Sequence, residues 1–212
     1  MKYLEQQIEE LNENLAKQIP VEVLEVFGKS IQDLKTKNME DNSISIGERF
    51  PDFNLPNSNN EIVELKELLK NGKVIVAFFR GSWCPYCNLE LKALQDNLKQ
   101  ITGRKVTLIA ISPQTPEYSE VLKSNHHLDF ELLTDKDNIL AKQLGISFEL
   151  QDDIIPIYTS LGIVLSDYNE NDHNELPVPA VFVIDTDRTI IYKFADANYM
   201  NRISIPELIE QL

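Results

Sequence analysis

The run Val74-Ile75-Val76-Ala77-Phe78-Phe79-Arg80-Gly81-Ser82-Trp83-Cys84-Pro85-Tyr86-Cys87 decides the fold. Its first half is apolar without a break, as a strand covered on both faces must be. Its second half carries the only two cysteines of the chain, in Cys-x-x-Cys spacing. Pro85 suits the first position of a helix, because it lacks an N–H and already has a helical φ. The pattern predicts a strand over residues 74–79, a short loop, and a helix opening at Pro85, which puts Cys84 at the helix N-terminus. Unsatisfied N–H groups and the positive end of the helix dipole there favour thiolate over thiol on Cys84. A thiolate is the nucleophile of sulfur redox chemistry. A structural disulfide across so short a loop removes little entropy from the unfolded chain. The pair therefore reads as a two-electron switch in which one sulfur attacks and the other resolves the mixed disulfide. The competing readings are two core thiols without a chemical role and a zinc half-site. The zinc site would need ligands from His126, His127 and His173, and adjacent histidines do not match the usual ligand spacing. No metal and no cofactor is called for.

Working outward, Leu91, Leu94, Leu98 and Ile101 form one stripe of the helix after Cys87, while Lys92, Asp96 and Lys99 fall away from it. A second apolar run, residues 106–111, completes a strand, helix, strand unit with parallel strands and a right-handed crossover. Ligands of such sheets sit beyond the carboxyl ends of the strands, where Cys84 lies. Residues 53–65 read as two short extended pieces around the polar turn Asn57-Ser58-Asn59-Asn60, and residues 180–184 and 189–194 as a hairpin. Helices are expected over 118–125 and 137–144, with a short strand at 130–133 between them. Ser204 is placed to cap a final helix with Pro206 in its first turn. Pro179 belongs at the start of a strand, where a cis peptide would point the backbone of Val178 outward. Residues 151–176 show no clear period.

The N-terminal part differs. Leu4, Ile8, Leu11 and Leu15, then Val23, Leu24, Phe27, Ile31 and Leu34, recur at helical spacing, so residues 1–41 form a helical arm. A polar linker at 35–45 sets a boundary near Asp41, and residues 42–212 form one compact domain. With 42% hydrophobic and 25% charged residues the chain has the composition of an ordinary globular protein. Its net charge of -14 opposes nucleic acid and anionic membrane surfaces as partners. Glu5, Glu9, Glu10 and Glu13 break up any hydrophobic signal core, and no run is long enough to span a bilayer. The expected location is the cytoplasm, whose reducing conditions argue again for chemistry at the cysteine pair.

The motifs taken together resemble the peroxiredoxin-like branch of the alkyl hydroperoxide reductase and thiol-specific antioxidant family, within the thioredoxin superfamily. They are residues 79–87, Ala110-Ile111-Ser112-Pro113-Gln114, the stretch 176–185 beginning Leu176-Pro177-Val178-Pro179-Ala180, and Asp196-Ala197-Asn198-Tyr199. The resemblance runs from about Gly47 to Leu212. It implies an α/β thioredoxin-like fold, a central mixed sheet with helices on both faces, and a proline, here Pro179, set against the redox pair. It also implies a thiol-dependent reductase of hydroperoxides or disulfides, restored by an external dithiol such as thioredoxin. Typical members place a Pro seven residues and a Thr or Ser three residues before the attacking cysteine. Counting back from Cys87 gives Arg80 and Cys84, and counting back from Cys84 gives Ala77 and Gly81, so neither register keeps that set.

Alignment to peroxiredoxins makes Cys87 the attacker, and thioredoxin logic makes it the more exposed Cys84; the reading taken is Cys84. The strand 74–79 also lacks the buried Asp of many thioredoxins. Arg80, Trp83, Pro85, Val178 and Pro179 are the expected substrate-binding residues, Arg80 as a cation beside the thiolate or a bound peroxide and Trp83 as an apolar wall. Glu90, His126 and His127 are read as solvated surface groups, and Asp196, Tyr199 and Arg202 as a structural network. Two other functions stay open: a thioredoxin- or glutaredoxin-like dithiol reductase with little peroxidase activity, and a redox-responsive interaction protein. In the latter the arm and the segment 151–176 bind a partner or a second copy, giving a homodimer.

Overall fold

The computed structural model describes residues 3–212. Two helices, Leu4–Gln18 (α1) and Val21–Thr36 (α2), and a short third, Met39–Asn42 (α3), precede the sheet domain. A small hairpin of Asn54–Pro56 (β1) and Ile62–Glu64 (β2) follows, closed by Asn57, whose Oδ1 accepts the N–H groups of Asn59 and Glu61 at 2.9 Å each. After Leu65–Leu68 (α4) come Lys73–Phe78 (β3), Pro85–Asp96 (α5), Leu98–Thr102 (α6), Val106–Ser112 (β4), Pro116–His126 (α7) and Glu131–Thr134 (β5). Next are Ile139–Gln143 (α8), Ser147–Glu149 (β6), Ile155–Ser160 (α9), Leu165–Asn169 (α10) and Glu175–Pro177 (β7). Ala180–Ile184 (β8), Ile190–Ala195 (β9) and Ile205–Glu210 (α11) complete the chain.

The central sheet has the order β5-β4-β3-β8-β9. β3, β4 and β5 are parallel, while β8 runs antiparallel to both β3 and β9. Because successive side chains of a strand point to opposite faces, Ile75, Ala77 and Phe79 pack with α5 and α11. Val74, Val76 and Phe78 pack on the other face with Phe182, Leu140 and Phe50. The mixed sheet covered on both faces is the predicted thioredoxin-like fold, and Cys84 sits beyond the carboxyl end of its central strand.

Three local expectations change. The helix after Cys87 breaks at Asn97, whose Nδ2 donates to the Ala93 carbonyl at 2.9 Å and so competes with the helical ladder. The helix expected over 137–144 starts two residues late, because Asp137 and Asn138 hold positive φ. The linker expected at 35–45 is largely helical and docked: the Lys193 ammonium donates to the carbonyls of Glu40 and Ser43, and Glu40 accepts the Ala197 N–H at 2.7 Å. The boundary placed near Asp41 thus falls inside α3. The arm lies against the domain, with Leu4, Ile31 and Leu34 buried. The stretch 151–176 becomes α9 and α10, and its Tyr158 meets Phe27 of the arm edge-on at 6.2 Å. Ser30 and Gln151 are hydrogen-bonded at 2.6 Å, so the two segments use part of their apolar surface on each other. Among the described residues no helix is long and apolar enough to cross a membrane.

Candidate active site

Cys84 is the N-cap of α5 and Pro85 its first residue, as the sequence predicts. The loop from β3 is clamped from the next strand: Gln114, just past β4, accepts the Ser82 N–H on Oε1 at 2.7 Å and donates to Ser119 at 3.0 Å. That clamp is the role of the motif 110–114. Gly81 allows the turn. Its φ is +152°, and a Cβ there would run into the Trp83 indole. Gly81→Ala should therefore displace Trp83 and cost about 1–3 kcal/mol, read as a lower urea midpoint with unchanged slope; a midpoint equal to wild type would count against this account.

The two sulfurs are both buried, Cys84 at 1% and Cys87 at 0% exposure, so the expected difference in exposure is absent. Their electrostatics reverse the sequence expectation. Burial, the hydrogen bond to Cys87 and the charge of Cys87 push the Cys84 thiol well up, outweighing Arg80 and Arg202. Burial also opposes charge on Cys87. There, however, the hydrogen bond from Cys84, the Arg202 guanidinium and the Arg80 backbone N–H prevail and hold its thiol well below the ordinary range. Arg202 Nη2 lies 3.4 Å from Cys87 Sγ and 3.9 Å from Cys84 Sγ. Within this coupled pair the anion is favoured at Cys87, whose sulfur lies nearer the Arg202 guanidinium than that of Cys84.

Arg202 is held in turn. Its Nη1 pairs with Glu90 Oε2 at 2.8 Å and its Nε donates to the Tyr199 carbonyl at 3.0 Å. Glu90 is 2% exposed, not the solvated group expected; burial raises its pKa although Arg202 pulls the other way. The helical spacing carried the signal, since Glu90 lies three residues after Cys87 and one before Leu91, on the face that meets the sheet. An acid on that face needs a cation. Arg202, read as structural, supplies it. Asp196 shapes the loop that brings Arg202 in, accepting the Asn198 N–H at 2.7 Å and the Asn201 amide at 2.6 Å.

Arg80 is 3% exposed, and rings surround its guanidinium: Tyr199 at 4.4 Å, Trp83 at 5.0 Å and Tyr158 at 5.7 Å from Cζ to centroid. It donates to the Tyr158 hydroxyl, and its Nε has no partner among the described residues. Tyr158 comes from the segment whose sequence gave no period, so its place here was not foreseen. A cleft of about 450 Å³ opens in front of Cys84, with Arg80, Trp83, Pro85 and Tyr86 on its wall. Val178 and Pro179 are not on that wall. Pro179 lines a smaller cavity behind Arg80, and no described peptide bond is cis. Val178 does not present its backbone outward: it is 1% exposed, and its N–H is taken by the Ile146 carbonyl at 2.7 Å. No group of three or more potential metal ligands occurs among the described residues.

A dithiol beyond the carboxyl end of the central strand, with one sulfur against a buried arginine and the other facing a cleft, is the arrangement of a thioredoxin-fold oxidoreductase. A family model described as AhpC/TSA family matches residues 46–193. The chain belongs to this family and is a thiol-dependent antioxidant enzyme of the peroxiredoxin kind. The putative peroxiredoxin bcp of Coxiella burnetii is 33% identical over 104 residues, covering 49% of this chain and 68% of that protein. Peroxiredoxin Bcp of Escherichia coli is 29% identical over 105 residues, covering 50% and 67%. Among solved structures, peroxidoxin BcpB from Mycobacterium tuberculosis aligns with a TM-score of 0.62 at 20% identity, over 79% of this chain and 96% of that one.

Proposed function

We propose that the chain reduces hydroperoxides with Cys84 as the attacking sulfur and Cys87 as its base and resolving partner. The observation that carries this is geometric: Cys84 lines the cleft, whereas Cys87 lies off it with Arg202 Nη2 3.4 Å from its sulfur. In the first step Cys84 Sγ attacks the terminal oxygen of R–O–O–H while its proton passes to the Cys87 thiolate. The O–O bond breaks. The alkoxide takes the proton back from Cys87 and leaves as R–OH, and Cys84 is left as a sulfenic acid. Cys87, again a thiolate, then attacks the Cys84 sulfur, forming the disulfide and expelling hydroxide, which solvent protonates. An external dithiol of thioredoxin type reduces the disulfide by exchange. The chemistry fits a reducing compartment such as the cytoplasm.

Arg80 and Arg202 balance the negative charge that develops on oxygen and sulfur, in a site where burial makes such charges count. The dithiol-disulfide reductase is the second reading, favoured by Arg80 and Cys84 standing where typical peroxiredoxins hold Pro and Thr or Ser. Two assays separate them. Reduced protein should consume hydroperoxide in a thioredoxin-coupled assay and should not speed insulin reduction by dithiothreitol. Accelerated insulin reduction without peroxide consumption would replace the peroxidase reading with the reductase one.

A further inference from the structure

The family match begins at residue 46, so the arm lies outside it, yet the arm builds much of the cleft over Cys84. Leu15 and Ile19 at the end of α1 and its following turn, and Leu24 and Phe27 of α2, form one apolar wall. Leu161 and Ile163, between α9 and α10, are part of the cleft as well. At about 450 Å³ the cleft falls in the usual range of small-molecule sites, roughly 300–1,000 Å³, whereas hydrogen peroxide needs no such wall. The lining is mostly apolar, and Cys84, Arg80 and Trp83 are part of it. An occupant suited to an apolar lining with a reactive sulfur in it has an apolar body that carries the peroxide group.

Gly28 supports the same conclusion from the other side. It stands in the middle of α2, where a glycine costs about 1 kcal/mol relative to alanine. No packing demands it, since a Cβ there would meet nothing within 4 Å. Its effect is to leave the arm side of the cleft open. The arm is also tied to the active-site helix, Tyr86 donating its hydroxyl to Asn12 Oδ1 at 2.5 Å.

The geometry points to the arm as the specificity element of this enzyme: α1 and α2 form an apolar subsite that selects hydroperoxides carrying a bulky apolar group over hydrogen peroxide. This rests on Cys84 being the sulfur that meets peroxide, but the subsite is testable without turnover. Trp83 is the only tryptophan and lies on the cleft wall. Titration of reduced protein with 2-phenyl-2-propanol, the alcohol formed from cumene hydroperoxide, should change its fluorescence saturably. Gly28→Leu, a favourable change for helix formation, places a side chain in the open space and should weaken that binding about tenfold. The same variant should lower the ratio of kcat/KM for cumene hydroperoxide to that for hydrogen peroxide about tenfold, within the range that small changes in an apolar pocket produce. A structural defect would lower both values together and leave the ratio alone. Unchanged alcohol affinity or an unchanged ratio would overturn the inference. If wild type turns over no hydroperoxide, the proposed reaction fails, and the alcohol titration still decides the subsite.

Discussion

Replacement of Arg202 by Gln should cost about 3–5 kcal/mol of stability, the range for removing one member of a buried ion pair. The side chains of Arg202 and Glu90 are 0% and 2% exposed, and the same guanidinium lies 3.4 Å from the Cys87 sulfur. Without it Glu90 loses its ion-pair partner and Cys87 its hydrogen-bonding cation, and Arg80 is left as the cation beside the sulfurs. Glu90 and Cys87 must then move toward their neutral forms. In wild type, thiolate absorbance equivalent to one sulfur should persist well below pH 8.5, near which a free cysteine titrates, and the second sulfur should ionise only well above it. In Arg202→Gln the lower step should move up and peroxide turnover near neutral pH should fall with it. Glu90 gives the stability deficit a pH dependence. Its folded pKa is already raised by burial and rises further without Arg202, so its protonated form is the stabilising one. The deficit should be full above that raised value and shrink as pH falls through it toward about 4.3, the unfolded value. The double variant Arg202→Met with Glu90→Leu should regain most of the stability and none of the low thiol pKa. A single variant as stable as wild type, with its thiolate step unmoved, would remove Arg202 from this account.

The parts of this site that could be read from sequence are those set by local pattern. Strand β3, the helix opening at Pro85 and the Cys84 N-cap follow from an apolar run, a proline and a 3.6-residue period, and all three stand where expected. What the pattern could not give is charge brought from a distance. Arg202 reaches Cys87 across 115 positions of sequence and Tyr158 reaches Arg80 across 78. A helix-end argument at Cys84 therefore leaves out the cation that lies nearer the other sulfur. Glu90 was legible in principle, because its helical register put it on the buried face. Val178 and Pro179, which the resemblance set against the cysteines, stand just before β8 beside the end of β3 but not on the cleft wall, and the Val178 N–H is taken by the Ile146 carbonyl. The arm was legible as helices but not as a wall of the cleft, since amphipathic periodicity says that a face is covered and not what covers it.

The two cysteine variants should differ in kind. Cys84→Ser removes the one thiol among the described residues of the cleft wall, and peroxide consumption should drop to background while Cys87 keeps its low pKa through Arg202. Cys87→Ser removes the base and the resolving thiol but leaves the attacker. Its first turnover should slow by about 10²–10⁴-fold, the usual value of general-base assistance, and should stop at a sulfenic acid on Cys84 that a dimedone-type reagent labels. Wild type under the same peroxide should instead accumulate a Cys84–Cys87 disulfide without label. Mass spectrometry of the peptide spanning both cysteines reads all three outcomes. The telling result is the first turnover of Cys84→Ser. If it still consumes one equivalent of peroxide and carries the label on Cys87, attack belongs to the charged sulfur. Cys84 then becomes the donor that holds the peroxide, as its position three residues before Cys87 would suit. If that variant is inert, the proton relay stands, and the inversion of charge between the two sulfurs is the means by which a buried, high-pKa thiol becomes the nucleophile.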